Sequence, residues 1–349
     1  MRSVEGFRSQ MDQSGVTTDG HSVPPVSTIL TRSAGLDVDA PEIVITVPTY
    51  KRPDQLLRTL QSLIAQKTSR SYAIIVMENE NEAREGAAAA AHLFESGAVA
   101  GLIIAAHRRG NCEAYNAGWQ MALETFPHFR HLLVIDDDET ADPRWLARMC
   151  GTAETLELDI VGGPQNPIFE KDEYESWAQH PVFRPPYTET GPVPALYSTG
   201  NLLLTRPVLE RFSPNFLDLR FNFMGGGDSD FLTRARKAGY EFGWCAEAIV
   251  HETIPSRRLQ ADWIRTRSLR NGVISTLVDH ERRKGHSFAR VQVLMKSLAL
   301  LAASPLRGLK AGLAARSLSV GLYPVLVGAG RVLGEFGYMN DQYRQAEKN

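Results

Sequence analysis

Short apolar runs alternate with stretches of helical periodicity along the first half of the chain. Runs rich in Val, Ile and Leu predict four strands, at 42–48, 72–77, 101–105 and 131–135. Apolar residues at helical spacing and an alanine-rich stretch predict three intervening helices, at about 53–64, 82–96 and 112–125. Strands that alternate with helices indicate an α/β fold, with a Rossmann-like, mostly parallel sheet flanked by helices.

The second half has a less regular pattern. It predicts two further strands and two helices, at 160–163, 196–205, 228–239 and 258–284. Residues 164–194 are rich in proline and aromatic side chains, which predicts a long loop. Residues 1–40 have no apolar run, so we expect a disordered tail. The chain therefore divides into three regions: the tail at 1–40, an α/β domain at 41–285 and a helical extension at 286–349.

Polar residues follow each of the first four strands. They lie at 49–52, 78–81, 108–111 and 136–138. Sheets of this kind bind ligands at the carboxyl ends of their strands. Asp136–Asp138 are three adjacent acids that repel one another. Their repulsion costs free energy unless a cation offsets the charge. Hard oxygen ligands suit Mg²⁺ or Mn²⁺ carrying a diphosphate, and a solvated acidic turn is the alternative.

A glycine-rich turn precedes a second acidic pair. Gly225–Gly227 permit backbone conformations that other residues resist, and Asp228 and Asp230 then open a helix. Either acid could simply cap that helix. We expect Asp230 to have this structural role and Asp228 to face a cleft as a general base.

These motifs, in this order, resemble glycosyltransferase family two, which has the GT-A fold. The resemblance covers about 42–275 and rests on eight segments: Val47–Arg52, Glu78–Asn79, Arg109–Asn116, Asp136–Asp138, Thr199–Leu204, Gly225–Phe231, Trp244–His251 and Trp263–Gly272. The nearest subgroup is the bacterial exopolysaccharide transferases of the succinoglycan type, which extend a lipid-linked oligosaccharide. The resemblance implies a catalytic domain at 41–285 that transfers a sugar, with inversion, from a nucleotide-diphosphate sugar, with UDP as the expected nucleotide.

The resemblance also implies roles for individual residues. The nucleotide sugar would contact Pro48, Thr49, Tyr50, Arg52, Glu78, Asn111, Asp136, Asp137, Arg267 and Arg270. The acceptor would contact Gly200, Asn201, Gly226, Gly227, Asp230 and Trp177. Asp138 would bind the metal, and His251 is either a further metal ligand or a structural histidine. Asp228 would be the base, or Asp230 if the register shifts. The family commonly has Glu where this chain has Gly227, which puts the acceptor geometry in doubt.

Composition narrows the function classes. A formal net charge of −2 argues against a general nucleic-acid binder. Three cysteines without CxxC spacing favour a reducing compartment, and we see neither a signal peptide nor an apolar run long enough to span a bilayer. A cytoplasmic location follows. The alternatives are a nucleotidyltransferase, which the Pro-Thr-Tyr-Lys-Arg-Pro turn at 48–53 disfavours, and a non-catalytic nucleotide-sugar binding module.

The segment 289–334 differs from the rest of the chain. It contains six Lys or Arg residues and no Asp or Glu, with apolar runs between the charges. Pro305 and Pro324 are expected to break its helices. Basic helices with apolar faces can lie in the headgroup layer, so we expect peripheral contact with the cytoplasmic face of a membrane. Packing of these helices on the catalytic domain or on a second subunit is the alternative.

Overall fold

The computed structural model describes residues 26–337. Its strands are β1 (Ser27–Arg32), β2 (Ile43–Thr49), β3 (Tyr72–Glu78), β4 (Gly101–Ala106), β5 (His131–Ile135), β6 (Glu139–Ala141), β7 (Ile160–Gly162), β8 (Gln165–Phe169), β9 (Gly191–Pro192), β10 (Asn201–Thr205), β11 (Phe242–Trp244) and β12 (Val250–Ile254). Its α-helices are α1 (Pro53–Ile64), α2 (Glu85–Glu95), α3 (Asn111–Thr125), α4 (Trp145–Thr155), α5 (Arg206–Phe212), α6 (Gly227–Lys237), α7 (Ala261–Arg282), α8 (Ala289–Ala315) and α9 (Leu318–Glu335).

A nine-stranded sheet in the order β1-β4-β3-β2-β5-β10-β7-β11-β9 forms the centre of the molecule. The strands β4, β3, β2 and β5 are parallel, as the βαβ pattern predicts. Beyond β5 the sheet is mixed, because β10 runs antiparallel to both of its neighbours. A smaller sheet, β6-β12-β8, lies beside it. The α/β fold with flanking helices and a helical C-terminal region is confirmed.

The central strands are apolar throughout because both faces of the sheet are covered. Alternation along β2 points Val44 into one buried cluster and Ile43 and Ile45 into another, and all three side chains are fully buried. Trp119 of α3 belongs to the first cluster and Trp145 of α4 to the second. Because helices pack on both faces of the sheet, the strand ends and the loops that follow them are held in place.

Two sequence predictions need correction. Part of the expected tail is structured: β1 pairs antiparallel with β4 at the edge of the sheet, while 1–25 lie outside the described residues. The expected loop at 164–194 contains β8, β9 and a 3₁₀ helix at Asp172–Gln179. Both errors have one cause, because these short strands are stabilised by partners that are distant in sequence, β4 for β1 and β12 for β8.

The prolines of the C-terminal segment do not break its helices. Pro305 lies inside α8 and Pro324 inside α9. A helical proline removes the hydrogen bond to the carbonyl four residues earlier. For Pro305 that carbonyl belongs to Leu301, and it accepts a 2.7 Å hydrogen bond from the hydroxyl of Ser304. In the part of the chain that the structure describes, α8 is the one helix long and apolar enough to cross a membrane, which by itself is weak support for a span.

Candidate active site

A cleft of about 840 Å³ opens where β2, β3 and β5 end. Nine of the ten residues predicted to bind a nucleotide sugar line it: Pro48, Thr49, Tyr50, Arg52, Asn111, Asp136, Asp137, Arg267 and Arg270. Asp138 and Asp228 line it as well, from opposite halves of the chain. The two acidic motifs therefore share one cavity.

The strand-end acids are held by side chains from the end of β2. The Thr49 hydroxyl donates to Asp137 at 2.9 Å. Arg52 bridges two acids, with its Nη1 3.1 Å from Asp137 Oδ1 and 2.8 Å from Asp138 Oδ2. Because β2 and β5 are parallel neighbours, residues 85 positions apart meet at the same sheet edge.

The acids of this cleft are crowded. Burial, together with repulsion from Asp138, raises the pKa of Asp136 to about 7. Burial likewise raises the pKa of Asp137 to about 6, although Arg52 opposes the shift. The buried carboxyl of Glu139 lies behind them, and burial and Asp136 raise its pKa well above the ordinary range. Arg52 therefore offsets only part of the negative charge of this acidic cluster.

A hydrogen bond from another element fixes Asp136. The phenol of Tyr115, on α3, donates to Asp136 Oδ1 at 2.5 Å. Gly200 lies close to the same acid, because an added Cβ would be 3.0 Å from Asp136 Oδ2 and 2.4 Å from Gln165 Nε2. A side chain at 200 would thus displace the Gln165 amide and crowd the Asp136 carboxylate.

Glu252 and Arg258 are the functional candidates that sequence reasoning missed. Both line the cleft, and Arg258 Nη1 lies 2.6 Å from Glu252 Oε1. Arg258 Nη2 is also 3.6 Å from Asp138 Oδ2. His251 is not among the cleft-lining residues, and its Nε2 lies 3.1 Å from Asp142. Neighbouring residues of a strand point to opposite faces, so β12 presents Glu252 to the cleft and His251 away from it.

The glycine-rich turn separates the roles of the two following acids. Gly225 and Gly226 have φ of +79° and +98°, which glycine adopts readily. Asp228 lines the cleft, and burial raises its pKa although the Ser229 N–H and Arg267 oppose the shift. Asp230 is 1% exposed and pairs with Arg234 at 2.8 Å. The structure does not bring Asp230 to the acceptor side of the cleft.

Other predicted acceptor-side residues have mixed placements. Gly226, Gly227, Gly200 and Asn201 line the cleft. The Asn201 amide is occupied by structural hydrogen bonds, since it accepts from Trp145 Nε1 at 2.8 Å and donates to Ala248 O at 2.8 Å. Trp177 packs instead in a separate apolar cluster near Phe183 and is not among the lining residues. Two other aromatic residues line the cleft, Phe183 and Trp263, whose rings are stacked with their centroids 6.2 Å apart.

Glu78 also points elsewhere. Its fully buried carboxylate accepts from the backbone N–H of Ala87, in the first turn of α2, at 2.9 Å. That contact makes it a cap for the helix N-terminus, where a negative charge is stabilised. The next residue, Asn79, lines the cleft. The geometry therefore gives no support to Glu78 as the contact for the nucleotide base.

Comparison with known proteins supports the family resemblance. Residues 44–212, which contain β2 and the acids after β5, match the model of glycosyl transferase family 2. The chain is thus similar to glycosyltransferase family 2 over just under half of its length. It is also 29% identical over 233 residues to the succinoglycan biosynthesis protein ExoM of Rhizobium meliloti strain 1021, covering 66% of this chain and 72% of that protein. The chain is therefore a glycosyltransferase, and the nucleotidyltransferase and the non-catalytic binding module are set aside as alternatives.

The fold of this glycosyltransferase is that of a solved relative. The mannosyltransferase PcManGT from Pyrobaculum calidifontis, solved with GDP-Man and Mn²⁺, superposes with a TM-score of 0.55 at 16% identity. The match covers 85% of this chain and 90% of that one. At this identity the similarity concerns the GT-A fold alone.

Proposed function

We propose that this glycosyltransferase moves a sugar from a UDP-sugar to a saccharide acceptor with inversion at the anomeric carbon. The observation that carries the proposal is the shared cleft, in which Asp136–Asp138 and Asp228 line one cavity together with Arg267 and Arg270. The acids after β5 suit a cation and the arginines suit phosphate oxygens, so the cleft has the charges that a nucleotide diphosphate requires.

Asp228 is the base of the proposed reaction. Its carboxylate takes the proton of the acceptor hydroxyl, whose oxygen bonds to the anomeric carbon as the bond from that carbon to the diphosphate oxygen breaks. Attack from the face opposite the diphosphate inverts the configuration. The raised pKa of Asp228 makes it a better proton acceptor than an ordinary carboxylate. Arg267 and Arg270 would stabilise the charge that grows on the leaving diphosphate.

A divalent cation, Mg²⁺ or Mn²⁺, fits the chemistry of the acidic cluster. Asp138 would hold it, and Glu252 replaces His251 as the further ligand from β12, because Glu252 faces the cleft. When bound, the cation would neutralise charge on the leaving diphosphate. In the described part of the chain no three carboxylate, imidazole or thiol groups already form a metal site. The cation would therefore compete with Arg52 for Asp138.

The acceptor and the location are part of the same proposal. Similarity to a succinoglycan biosynthesis protein supports an oligosaccharide acceptor of exopolysaccharide synthesis, linked to a lipid. The outer face of α8 supports contact with a membrane, because it exposes an apolar stripe at helical spacing: Val291, Met295, Leu298, Leu306, Leu309 and Leu313. The charges of α8 and α9 before Glu335 are all positive, which suits the anionic cytoplasmic surface.

A donor screen tests the transfer proposal. Purified protein is incubated with UDP-glucose, UDP-galactose, UDP-GlcNAc, GDP-mannose or dTDP-rhamnose, with Mn²⁺, Mg²⁺ or EDTA, and both thermal stabilisation and released nucleotide are measured. We expect stabilisation and metal-dependent release with one UDP-sugar. Equal release of nucleotide with EDTA and with a divalent cation would contradict the metal assignment. A preference for GDP-mannose would contradict UDP as the nucleotide of the donor.

Liposome flotation tests the membrane contact. We expect the protein to float with vesicles that contain phosphatidylglycerol and to stay behind with pure phosphatidylcholine vesicles. The variant Leu306→Ser/Leu309→Ser removes apolar area from the stripe and should float less. Flotation that is unchanged by this variant, or absent with anionic vesicles, would refute contact through α8.

A further inference from the structure

A second cavity lies among the three C-terminal helices. It has a volume of about 440 Å³ and is lined from α7, α8 and α9. The helices are in backbone contact beside it, since a Cβ at Gly272 would lie 2.2 Å from Val327 O and one at Gly308 would lie 2.3 Å from Gly321 O. The cavity therefore lies between closely packed helices.

The cavity has an excess of positive charge. Lys296, Arg307 and Arg331 line it, and no Asp or Glu is among its lining residues. One carboxylate next to it, Asp279, accepts from Lys296 Nζ at 2.7 Å and from Arg331 Nη2 at 2.6 Å. Within residues 26–337, Arg307 has no ion-pair partner. Three cations against one carboxylate leave a surplus of about two positive charges, which suits a phosphate or a diphosphate.

One of these cations is poised for a further acceptor. Arg331 is 2% exposed, and its Nε is buried without a hydrogen-bond partner. A buried donor that lacks a partner costs free energy unless a ligand or water accepts from it. Tyr323 also lines the cavity, and its hydroxyl accepts from Asn271 Nδ2 at 3.3 Å, which leaves the hydroxyl proton for an anion. Together these groups form a built anion site rather than a patch of surface lysines.

Apart from Ser275 and Ser304, whose hydroxyls have hydrogen-bond partners in the protein, the rest of the lining has no polar side chain. Leu300, Pro324 and Val327 contribute to the wall, and the exposed apolar stripe of α8 begins on the neighbouring face of the same helix. A free phosphate would leave this surface unused. A phosphate ester with a hydrocarbon chain would use both parts of the lining.

This cavity borders the active-site cleft. Ser275, Tyr323 and Val327 line both cavities, so a single layer of residues separates them. A ligand whose phosphate lies between α7, α8 and α9 could therefore extend an attached group toward Asp228.

We propose that the cavity between α7, α8 and α9 binds the phosphate or diphosphate of an amphiphilic molecule, whose hydrocarbon chain follows α8. For a lipid-linked acceptor this site would anchor the lipid diphosphate while the sugar reaches the cleft, and that last step rests on the proposed function. The binding itself does not depend on transfer.

Calorimetric titration of the full chain tests the site. The probes are geranyl diphosphate, inorganic diphosphate and dihexanoyl phosphatidylglycerol, and EDTA removes the metal ions that the diphosphates would otherwise bind. We expect geranyl diphosphate to bind at least about tenfold more tightly than inorganic diphosphate, because its chain buries apolar surface. Its affinity relative to the phospholipid tells whether the ligand is a prenyl diphosphate or a lipid headgroup.

A matched pair of variants locates the binding. Arg307→Gln removes the exposed, unpaired cation of the cavity, and we expect it to weaken geranyl diphosphate about tenfold or more. Arg290→Gln removes a positive charge from an exposed position of α8 outside the cavity and should change the affinity less than about twofold. Equal affinities of Arg307→Gln and the wild type would overturn the proposal, as would equal affinities for the geranyl and inorganic probes.

Binding of UDP with Mn²⁺ is measured on the same proteins. If UDP binds and geranyl diphosphate does not, the cavity proposal fails and the proposed function stands. If geranyl diphosphate binds and UDP does not, the proposed function fails and the cavity proposal stands.

Discussion

The active-site cleft and the cavity between α7, α8 and α9 share three side chains but arrange their charges differently, since the cleft combines acids with arginines and the cavity is lined by cations without an acid. In the cleft, burial and neighbouring acids raise the pKa of Asp136 to about 7. In the cavity, burial opposes the ionised form of Asp279, yet hydrogen bonds from Lys296 and Arg331 lower its pKa. The same residue type thus reports a cluster of buried acids in one place and a cluster of cations in the other. A local excess of one charge indicates the sign of the group that would bind beside it, which is a cation at Asp136–Asp138 and an anion between α7, α8 and α9.

The largest expected effect is on the base in the cleft. Asp228→Asn should lower kcat by about 10²- to 10⁴-fold, because the amide cannot accept the proton of the acceptor hydroxyl. Affinity for UDP, measured by calorimetry with Mn²⁺, should be unchanged. Loss of UDP binding in this variant would contradict the assignment of Asp228 as base. Asp230→Asn is the control, and turnover per folded molecule should persist there because Asp230 pairs with Arg234 away from the cleft.

The next largest effects are on stability, and they compare the acids of the cleft with the carboxylate beside the cavity. Asp279→Asn should lower the free energy of unfolding by about 3 kcal/mol, because it leaves Arg331 buried without its carboxylate. Asp138→Asn should change it by less than about 1 kcal/mol without metal, because loss of the Arg52 contact is offset by relief of repulsion among the acids. Urea unfolding in EDTA measures both. Equal losses in the two variants would refute the contrast.

The pH dependence of turnover sharpens the assignment of the base. The pKa of Asp228 is raised above the ordinary 3.8 by burial, and only its ionised form accepts a proton. We therefore expect kcat to be constant above that pKa and to fall about tenfold per pH unit below it. In contrast, the lowered pKa of Asp279 means that its contribution to stability is present at neutral pH and is lost only below the ordinary Asp range. Acid loss of turnover should thus precede acid unfolding, which circular dichroism checks.

The smallest effect is expected for an exposed pair on α7. Asp262 pairs with Arg265 at 3.0 Å, with side chains 87% and 63% exposed. Asp262→Asn should change the free energy of unfolding by at most about 0.5 kcal/mol, because water screens the pair. A loss of unfolding free energy as large as that of Asp279→Asn would mean that burial does not explain the large effect expected at Asp279.

Much of the cleft could be predicted from the sequence because its residues follow strands directly. The end of β2 and the acids after β5 lie beside one another wherever those strands are parallel neighbours, so Thr49, Arg52 and Asp137 needed only the strand pattern. Glu252 could not be found in this way. Val250 precedes and Thr253 follows the His251-Glu252 pair, so the strand pattern does not tell which of the two residues faces the cleft, and a shift of one residue reverses the answer.

Other errors concern contacts between distant segments. The strand β1 pairs with β4 some 70 residues later, and nothing in its own composition announces that partner. Pro305 was expected to end a helix, yet the Ser304 hydroxyl satisfies the freed carbonyl of Leu301 and α8 continues. Glu78 was assigned to the nucleotide, but packing of α2 against the sheet makes it a helix cap.

The sequence by itself determined the alternating strands and helices, the family resemblance, and the two acidic motifs, because these depend on local periodicity and on residue types at fixed spacing. Only the tertiary structure decided that Glu252 rather than His251 faces the cleft, that Asp228 rather than Asp230 is available, and that three cations gather behind the active site. Those outcomes depend on which side chains are buried and which charges become neighbours, and both are fixed when distant segments pack together.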